Sequence, residues 1–176
     1  IDSHNMHAEF IEVDLQLIEH LLENAGTTHK PFIAVGTTSM RTIESLYWLG
    51  AKAYIQAREN HSSIANLDMQ LGQWEAYEIS EQNISIQDAM KALVNYLKAK
   101  NTNKLIAKTQ LMVTPGYQFK ICNGLITNFH QPKSTLLLII AAITGDEWKK
   151  VYTHALENDY RFLSYGDGCL FWIHNR

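Results

Sequence analysis

The sequence predicts an α/β fold, and three features support this. Short apolar runs of strand length alternate with segments whose apolar residues recur at helical spacing. The first fifty residues follow the order strand, helix, strand, helix, which is typical of a parallel sheet. Hydrophobic residues make up 46% and charged residues 19% of the 176 residues, which excludes a disordered or fibrous chain. We therefore expect one α/β domain over residues 1–176, either an open doubly wound sheet or part of a barrel, since a complete eightfold barrel needs about 250 residues.

The first elements follow from the apolar spacing and its breaks. Residues 7–13 are predicted as a strand, and Asp14 can cap a helix that stops at Gly26. The apolar run 31–36 (PFIAVG) indicates a buried strand. The hydroxyl residues after it can cap a helix that ends at Gly50.

The second half is predicted in the same way. Ser85 and Asp88 form a capping box for a helix with an apolar face, whereas residues 71–79 fit either strand or loop. The later elements are a strand over 105–113, turns at 114–117 and 123–124, a strand over 125–129, a helix from Ser134 to Gly145, a helix capped by Asp146 with Tyr152, Ala155 and Leu156 inward, and a strand over 169–173.

The net charge of −3 is unevenly distributed. Residues 1–88 carry 13 acids and 4 bases, whereas residues 89–145 carry seven lysines and no acid. Such a block is either a solvated surface or a face that meets polyanions, and charge alone does not choose between them.

Composition also limits the location of the protein. Two cysteines are too few for a secreted disulfide scaffold, which favours a reducing compartment. No apolar run reaches the roughly 18 residues of a membrane helix, and the first residues lack a signal-peptide pattern. We expect a cytoplasmic protein with no membrane association.

The first polar cluster is H-x-x-H-x-E, from His4 to Glu9. Two imidazoles and a carboxylate suggest a metal triad, but side chains alternate along a strand, so His7 and Glu9 share a face and His4 does not. Such a pair is a candidate general acid–base unit, because the carboxylate raises the basicity of the imidazole. Polar residues on a half-exposed strand edge would have the same spacing, and spacing alone favours that interpretation.

The second cluster is Gly36, Thr37, Thr38, Ser39 and Arg41, where a buried strand leads into a helix. Free main-chain N–H groups and the helix dipole make such a junction an anion site. A cation in the first helical turn opposes the dipole, so Arg41 needs an acid or a ligand anion as its partner. Helix capping and ligand binding explain this cluster equally well.

The third cluster is Asn128, His130, Lys133, Ser134 and Thr135, again between a strand and an apolar helix. In α/β folds, ligands collect where strands end and helices begin. Capping requires only Ser134, so the other polar groups favour a binding site. We expect this junction to lie beside the junction at Gly36, at the ends of neighbouring parallel strands.

The fourth cluster is Arg161, Tyr165, Gly166 and Asp167. An Asp between two glycines can approach a ligand closely, and a tight hairpin would use the same residues.

Five segments occur in one order and together resemble a known family: H-x-M-H-x-E, AVGTTSMRTIES, TPGYQF, LITNFHQPKSTLL and YRFLSYGDG. They are similar to the S-adenosylmethionine:tRNA ribosyltransferase-isomerases of queuosine biosynthesis, over residues 4–48 and 108–172. Gln131 stands where that family usually has Leu, and Gly168 and Cys169 stand where it usually has Ala and Met.

The resemblance covers only the C-terminal half of the family. The other half normally supplies the start of an α/β barrel and an inserted β-barrel, so the resemblance implies a partial, barrel-like domain of parallel strands. No motif of the family can be placed in residues 52–105, and this segment is interpreted as divergent and insertion-like.

The resemblance also implies a reaction. The family transfers the ribosyl unit of S-adenosylmethionine to 7-aminomethyl-7-deazaguanine at the wobble position of tRNA, forms epoxyqueuosine, and releases adenine and methionine. S-adenosylmethionine is then a co-substrate, tRNA is the partner, and no metal is needed. The candidate catalytic residues are His7, Glu9, His130 and Asp167. The candidate substrate-binding residues are Gly36, Thr37, Thr38, Ser39, Arg41, Asn128, Lys133, Ser134, Thr135, Arg161, Tyr165 and Gly166.

Two alternatives compete with this interpretation. One is a metal-dependent hydrolase that uses His4, His7 and Glu9. The other is an RNA-binding module without chemistry, based on the acid-free block 89–145.

Overall fold

A computed structural model describes the chain in three stretches, which are residues 7–24, 31–59 and 64–174. The chain divides into two compact units. Unit 1 falls within residues 1–30 and 44–112, and unit 2 falls within residues 31–43 and 113–176. The segment 52–105 falls inside unit 1.

Strands and helices alternate in the described residues. The strands are β1 (Glu9–Asp14), β2 (Ile33–Val35), β3 (Gln70–Leu71), β4 (Lys104–Thr109), β5 (Gly124–Asn128) and β6 (Gly168–Trp172). The helices are α1 (Leu15–Asn24), α2 (Thr37–Glu59), α3 (Glu75–Ser80), α4 (Ile86–Ala99), α5 (Thr135–Thr144) and α6 (Trp148–Glu157), with short 3-10 turns at Ile64–Asn66 and Gly145–Glu147.

Unit 1 contains a three-stranded sheet in the order β1-β4-β3. β1 pairs antiparallel with β4, and β3 pairs parallel with β4. Along β1, Ile11 and Val13 are buried while Phe10 and Glu12 are exposed. This alternation gives the sheet one apolar face, as expected for a strand covered on one side.

Helix α4 has the predicted N-terminal cap. The Ser85 hydroxyl accepts a hydrogen bond from the Asp88 main-chain N–H at 3.0 Å and donates one to the Asp88 carboxylate at 2.7 Å. The apolar residues that follow, including Met90, Leu93 and Leu97, are fully buried. The cap and the apolar spacing therefore locate this helix correctly.

The prediction that Gly50 ends a helix is wrong, because α2 continues through it to Glu59. A Cβ atom at Gly50 would lie 2.3 Å from the main-chain oxygen of Ala89 in α4. The glycine therefore lets two helix backbones approach closely, which is a packing role and not a terminating one. The other predicted stop, Gly26, lies outside the described residues.

The segment 71–79 is helical over much of its length, contrary to the prediction of strand or loop. β3 is only two residues long, and α3 begins at Glu75. A carboxylate oxygen of Glu75 accepts a hydrogen bond from the Gly72 main-chain N–H at 2.8 Å. This local bond stabilises the turn into the helix, and apolar periodicity does not report it.

Unit 2 contains the sheet β2-β5-β6. β2 pairs parallel with β5, and β6 pairs antiparallel with β5. Ala34, Leu125 and Phe171 are buried at neighbouring positions of the three strands. Helix α5 is capped by the Ser134 hydroxyl, which accepts from the Leu137 main-chain N–H at 3.3 Å.

The expected single parallel arrangement is wrong in part. β1 and β2 lie in different sheets, and β1–β4 and β5–β6 are antiparallel pairs. Neither sheet closes on itself among the described residues, so the expectation of a barrel is not confirmed. The α/β class is confirmed, with mixed sheets in place of a parallel one.

Two details of α6 differ from prediction. Asp146 does not cap the helix but belongs to the preceding 3-10 turn, where its carboxylate accepts from Lys149 Nζ at 2.9 Å. Leu156 is 69% exposed, while Tyr152 and Ala155 are buried as expected.

Candidate active site

The two strand-to-helix junctions of unit 2 lie side by side, as predicted. Val35 at the end of β2 pairs with Ile126 of β5, and the Gly36 main-chain N–H donates to the Ile126 oxygen at 2.8 Å. Because the strands are parallel, the starts of α2 and α5 follow from the same end of the sheet. Gly36 has φ +89°, which strains any other residue, so the turn into α2 depends on glycine.

The first junction presents hydroxyl groups at the start of α2. Thr37 is buried, and Thr38 and Ser39 are exposed. Arg41 is only 6% exposed, and Glu44, one turn further, is completely buried. Arg41 is therefore a buried cation close to the start of a helix, and not a surface residue.

The second junction holds a buried histidine. His130 is 9% exposed, its Nε2 lies 3.1 Å from the Thr127 hydroxyl, and its main-chain N–H donates to the Tyr152 hydroxyl at 3.1 Å. Burial lowers the pKa of His130 below its usual value. The imidazole is therefore neutral at neutral pH and can accept a proton only from a strong enough acid.

The other residues of this junction are positioned by local bonds. Ser134 caps α5, and Thr135 is the first residue of that helix. Lys133 is exposed and has φ +62°, a left-handed conformation at the bend before the helix. The Lys133 side chain is thus at the surface, one residue before the cap of α5.

Asn128 links the second junction to the loop that precedes β6. Its Nδ2 donates to the main-chain oxygen of Gly166 at 3.0 Å and lies 3.4 Å from that of Asp167. Gly166 is required in this loop, since a Cβ there would lie 2.5 Å from the Arg161 oxygen. Tyr165, which precedes it, is 96% exposed.

Asp167 and Arg161 close that loop. The Asp167 carboxylate accepts from the Arg161 main-chain N–H at 2.8 Å and from its Nη2 at 3.0 Å. These bonds from Arg161 lower the pKa of Asp167, first through the side-chain hydrogen bond and then through the main-chain one. Of the two roles considered for Asp167, the structure shows the bond to the backbone of the loop, and it adds an ion pair with Arg161. Contact with a ligand stays a prediction.

The predicted acid–base pair lies in unit 1. His7 is exposed and precedes β1, and Glu9 is the first residue of β1 and half-buried, on the side of Ile11 and Val13. His4 lies outside the described residues. The pairing of His7 with Glu9 in a site stays a prediction.

Thr127 and Tyr152 were not predicted as site residues, yet both bond His130. Tyr152 appears in the sequence as an ordinary inward residue of an amphipathic helix. In the structure, Tyr152 lies in an aromatic cluster, with its ring centroid 5.4 Å from that of Phe129 and 6.0 Å from that of Phe162.

The described stretches, residues 7–24, 31–59 and 64–174, contain neither a metal-binding cluster nor a membrane-spanning helix. No group of three or more His, Cys, Asp or Glu side chains there is arranged to hold a metal ion. None of the helices in those stretches has the length and apolar character needed to cross a membrane.

The arrangement in unit 2, with helix starts and polar side chains at the ends of parallel strands, is that of a ligand-binding α/β protein. The profile of the queuosine biosynthesis proteins matches residues 1–171, and the chain belongs to that family.

Individual relatives agree with this assignment. The S-adenosylmethionine:tRNA ribosyltransferase-isomerase of Polynucleobacter asymbioticus is 33% identical over 171 residues, which cover 95% of this chain and 33% of the relative. The protein of the same name from Phenylobacterium zucineum is 31% identical over 173 residues, 98% of this chain and 34% of the relative. The chain thus spans about a third of the length of these relatives.

A solved structure is also similar. The S-adenosylmethionine tRNA ribosyltransferase of Thermotoga maritima has 26% sequence identity to this chain and a TM-score of 0.56, covering 92% of this chain and 39% of that structure. The mixed α/β fold is therefore shared with a solved member of this class.

Proposed function

We propose that the chain carries the C-terminal part of the active site of an S-adenosylmethionine:tRNA ribosyltransferase-isomerase. Family membership and the names of the relatives support this proposal. The structural observation that carries it is the hydrogen bond from Gly36 to Ile126, because it holds two of the five motif segments at one edge of a sheet. In the longer relatives, we propose, the remaining residues complete the barrel around this edge.

The proposed reaction uses S-adenosylmethionine as a ribosyl donor. The ribosyl unit is transferred to 7-aminomethyl-7-deazaguanine at the wobble position of tRNA and rearranged to the epoxycyclopentanediol of epoxyqueuosine, while adenine and methionine leave. A base has to remove a proton made acidic by the neighbouring sulfonium, and an acid has to help adenine leave.

Proton transfer is assigned to histidine and carboxylate groups. We assign it to His7, Glu9 and His130. The support for His130 is its neutral, buried imidazole, whose Nε2 lies 3.1 Å from the Thr127 hydroxyl. The Tyr152 hydroxyl holds the main chain of the same residue by accepting from its N–H. A group held in this way loses little entropy on reaching the transition state.

Anion binding is assigned to the helix starts. The main-chain N–H groups at Thr37, Thr38 and Ser39, and those at Ser134 and Thr135, can hold the methionine carboxylate or a tRNA phosphate. Arg41 and Lys133 add positive charge at the same two junctions. Asn128 positions the loop that carries Tyr165 and Gly166.

Asp167 is assigned to the stabilisation of positive charge on the sulfonium or the ribose. Arg161 already balances that carboxylate, so the assignment requires the Arg161 guanidinium to turn away when the substrate binds. The guanidinium is free to do so sterically, since its side chain is 73% exposed.

The partner is then tRNA, the co-substrate is S-adenosylmethionine, no metal takes part, and the protein works in the cytoplasm without membrane contact. The alternative of a metal-dependent hydrolase built on His4, His7 and Glu9 is not favoured by the family assignment.

The test measures adenine release from S-adenosylmethionine in the presence of tRNA that carries 7-aminomethyl-7-deazaguanine. The chain is assayed alone and as a hybrid in which residues 1–171 replace the matching segment of the Polynucleobacter asymbioticus relative. We expect the hybrid to release one adenine per modified tRNA. A folded hybrid that binds tRNA but releases no adenine contradicts the proposal. A requirement for zinc or iron would instead support the alternative of a metal-dependent hydrolase.

A further inference from the structure

Unit 2 has a cavity at the end of its sheet opposite the candidate active site. The candidate site lies where Asn128 of β5 pairs with Gly168 of β6. The cavity, of about 830 Å³, lies near the other end, where Gly124 pairs with Trp172. A strand rises about 3.4 Å per residue, so the two ends of these strands are on the order of 14 Å apart.

The cavity is built from a motif that the candidate active site does not use. Its walls come from residues 116–120, the C-terminal end of α5, and β6. Residues 116–119 belong to the TPGYQF segment. Tyr117 and Phe119 are each 6% exposed, and their rings meet edge to face at 5.1 Å, so this wall is an ordered aromatic surface.

Trp172 contributes an exposed aromatic face to the cavity. Its side chain is 48% exposed, while Phe171 beside it is 7% exposed. Trp172 stands opposite Gly124, which has no side chain to cover the indole.

The cavity also has polar and charged walls. Lys120, Gln118 and His174 line it, as does Glu147, whose carboxylate pairs with Lys150 at 2.8 Å. A flat aromatic face, a hydrogen-bonding amide and a lysine together suit a ligand that has a planar ring and a negative charge. The volume lies in the range of small-molecule sites, about 300 to 1,000 Å³.

We infer that this cavity binds a nucleobase of single-stranded RNA, with the base stacked on Trp172 and its phosphate close to Lys120. The identification of the base as part of an RNA rests on the proposed function. The adenine of a reacting S-adenosylmethionine lies within one nucleoside length of its sulfonium, so a base bound here belongs to another nucleotide. Stacking on an aromatic side chain is tolerant of base identity, which suits a contact that holds RNA without reading its sequence.

The test is a binding titration of the chain with a short single-stranded RNA oligonucleotide and, separately, with AMP, followed by tryptophan fluorescence and calorimetry. Trp172→Ala should raise the dissociation constant for the oligonucleotide roughly five- to a hundredfold, because stacking on one aromatic side chain is of that size. Trp172→Phe keeps a stacking face and should raise it less than about threefold. Lys120→Ala should weaken binding most at low salt.

Leu156→Ala and Lys149→Ala are the matched controls, since both side chains are exposed on α6 and neither lines the cavity. Unfolding midpoints show whether each variant is folded. Unchanged binding by a folded Trp172→Ala protein overturns the inference, and so does an equal loss in Leu156→Ala. If AMP binding depends on Trp172 and oligonucleotide binding does not, the site takes a free nucleotide and the RNA assignment is wrong.

Adenine release separates the two proposals. If RNA binding depends on Trp172 but the hybrid releases no adenine, the ribosyltransferase proposal is wrong. The cavity is then still an RNA contact. If adenine release is normal and RNA binding does not depend on Trp172, the proposed RNA contact at the cavity is wrong and the ribosyltransferase proposal stands.

Discussion

Asn128 donates a hydrogen bond from its side-chain Nδ2 to the main-chain oxygen of Gly166, 3.0 Å away. Asn128 is the last residue of β5, and Gly166 lies in the loop that leads into β6. The bond therefore fixes the loop at the end of the strand, where the candidate active site lies. A substitution in this loop should therefore change the geometry of the candidate active site more than the pairing of the strands.

Gly166→Ala should destabilise unit 2. An added Cβ would lie 2.5 Å from the Arg161 oxygen and 2.6 Å from the Phe162 carbonyl carbon, and both are main-chain atoms that cannot rotate away. We expect the free energy of unfolding to fall by about 1–3 kcal/mol in a denaturant titration, as in other overpacked sites. The control is Gly168→Ala, where the nearest atom is 3.8 Å from the new Cβ. Equal stability of the two variants would show that the loop relaxes freely.

Asp167→Ala should release the Arg161 main-chain N–H, which donates to the carboxylate at 2.8 Å. We expect faster hydrogen exchange of that amide, because its acceptor is gone. Asp167→Asn offers one acceptor oxygen where the carboxylate offers two, so its exchange rate should fall between Ala and wild type. Asp146→Ala breaks a comparable exposed ion pair with Lys149 and should leave the Arg161 amide unchanged. An unaltered rate in Asp167→Ala would show that the loop is held by other contacts.

Tyr152→Phe should leave a buried donor without its acceptor. The Tyr152 hydroxyl accepts from the His130 main-chain N–H at 3.1 Å, and both residues are buried. An unsatisfied buried N–H costs about 1–3 kcal/mol, which thermal or chemical unfolding can measure. Tyr160→Phe is the control, since Tyr160 is 41% exposed and its ring also meets that of Phe129, at 5.7 Å. A similar small loss in both variants would mean that water replaces the missing hydroxyl.

The sequence predicts the elements of unit 2 well because their ends carry explicit signals. Ser134 is a hydroxyl cap before an apolar run, and Gly36 follows the apolar run that forms β2, so both junctions are visible in the sequence. Their adjacency follows from the parallel pairing of β2 with β5. Strand direction elsewhere, as in the antiparallel pair of β1 with β4, depends on contacts between residues about ninety positions apart, which no local pattern encodes.

The site was predicted less completely, for related reasons. A glycine such as Gly50 is typical of a helix end, but its close contact with the main chain of Ala89 arises only in the tertiary structure. Arg161 and Asp167 are opposite charges six residues apart, yet only the folded loop shows that they pair with each other. The bond from Tyr152 to His130 joins residues 22 positions apart, and helical periodicity marks Tyr152 only as buried.

Lys133→Ala should weaken RNA binding more than it affects folding, if the proposed function holds. Lys133 has φ +62°, which is equally unfavourable for Ala, so the backbone strain does not change. Loss of one phosphate contact should raise the dissociation constant for tRNA a few-fold and reduce the slope of its salt dependence by about 0.7–0.9. Lys149→Ala, an exposed lysine paired with Asp146, is the control. An unchanged salt slope in Lys133→Ala would remove this lysine from the RNA contact.

His130 should make the stability of the chain fall as the pH is lowered through about 6.5, the ordinary pKa of histidine. Burial lowers its pKa in the folded protein, whereas the unfolded chain keeps a value of about 6.5. As the pH falls below 6.5, the unfolded state therefore takes up a proton that the folded state does not, and the free energy of unfolding decreases by up to about 1.4 kcal/mol per pH unit. Below the folded pKa both states are protonated, and this contribution stays constant. His130→Gln keeps a polar side chain that does not titrate, so the difference in unfolding free energy between wild type and variant should shrink as the pH is lowered. Parallel stability curves for the two proteins across this range would show that His130 titrates equally in both states, and would remove burial as the cause of its neutrality.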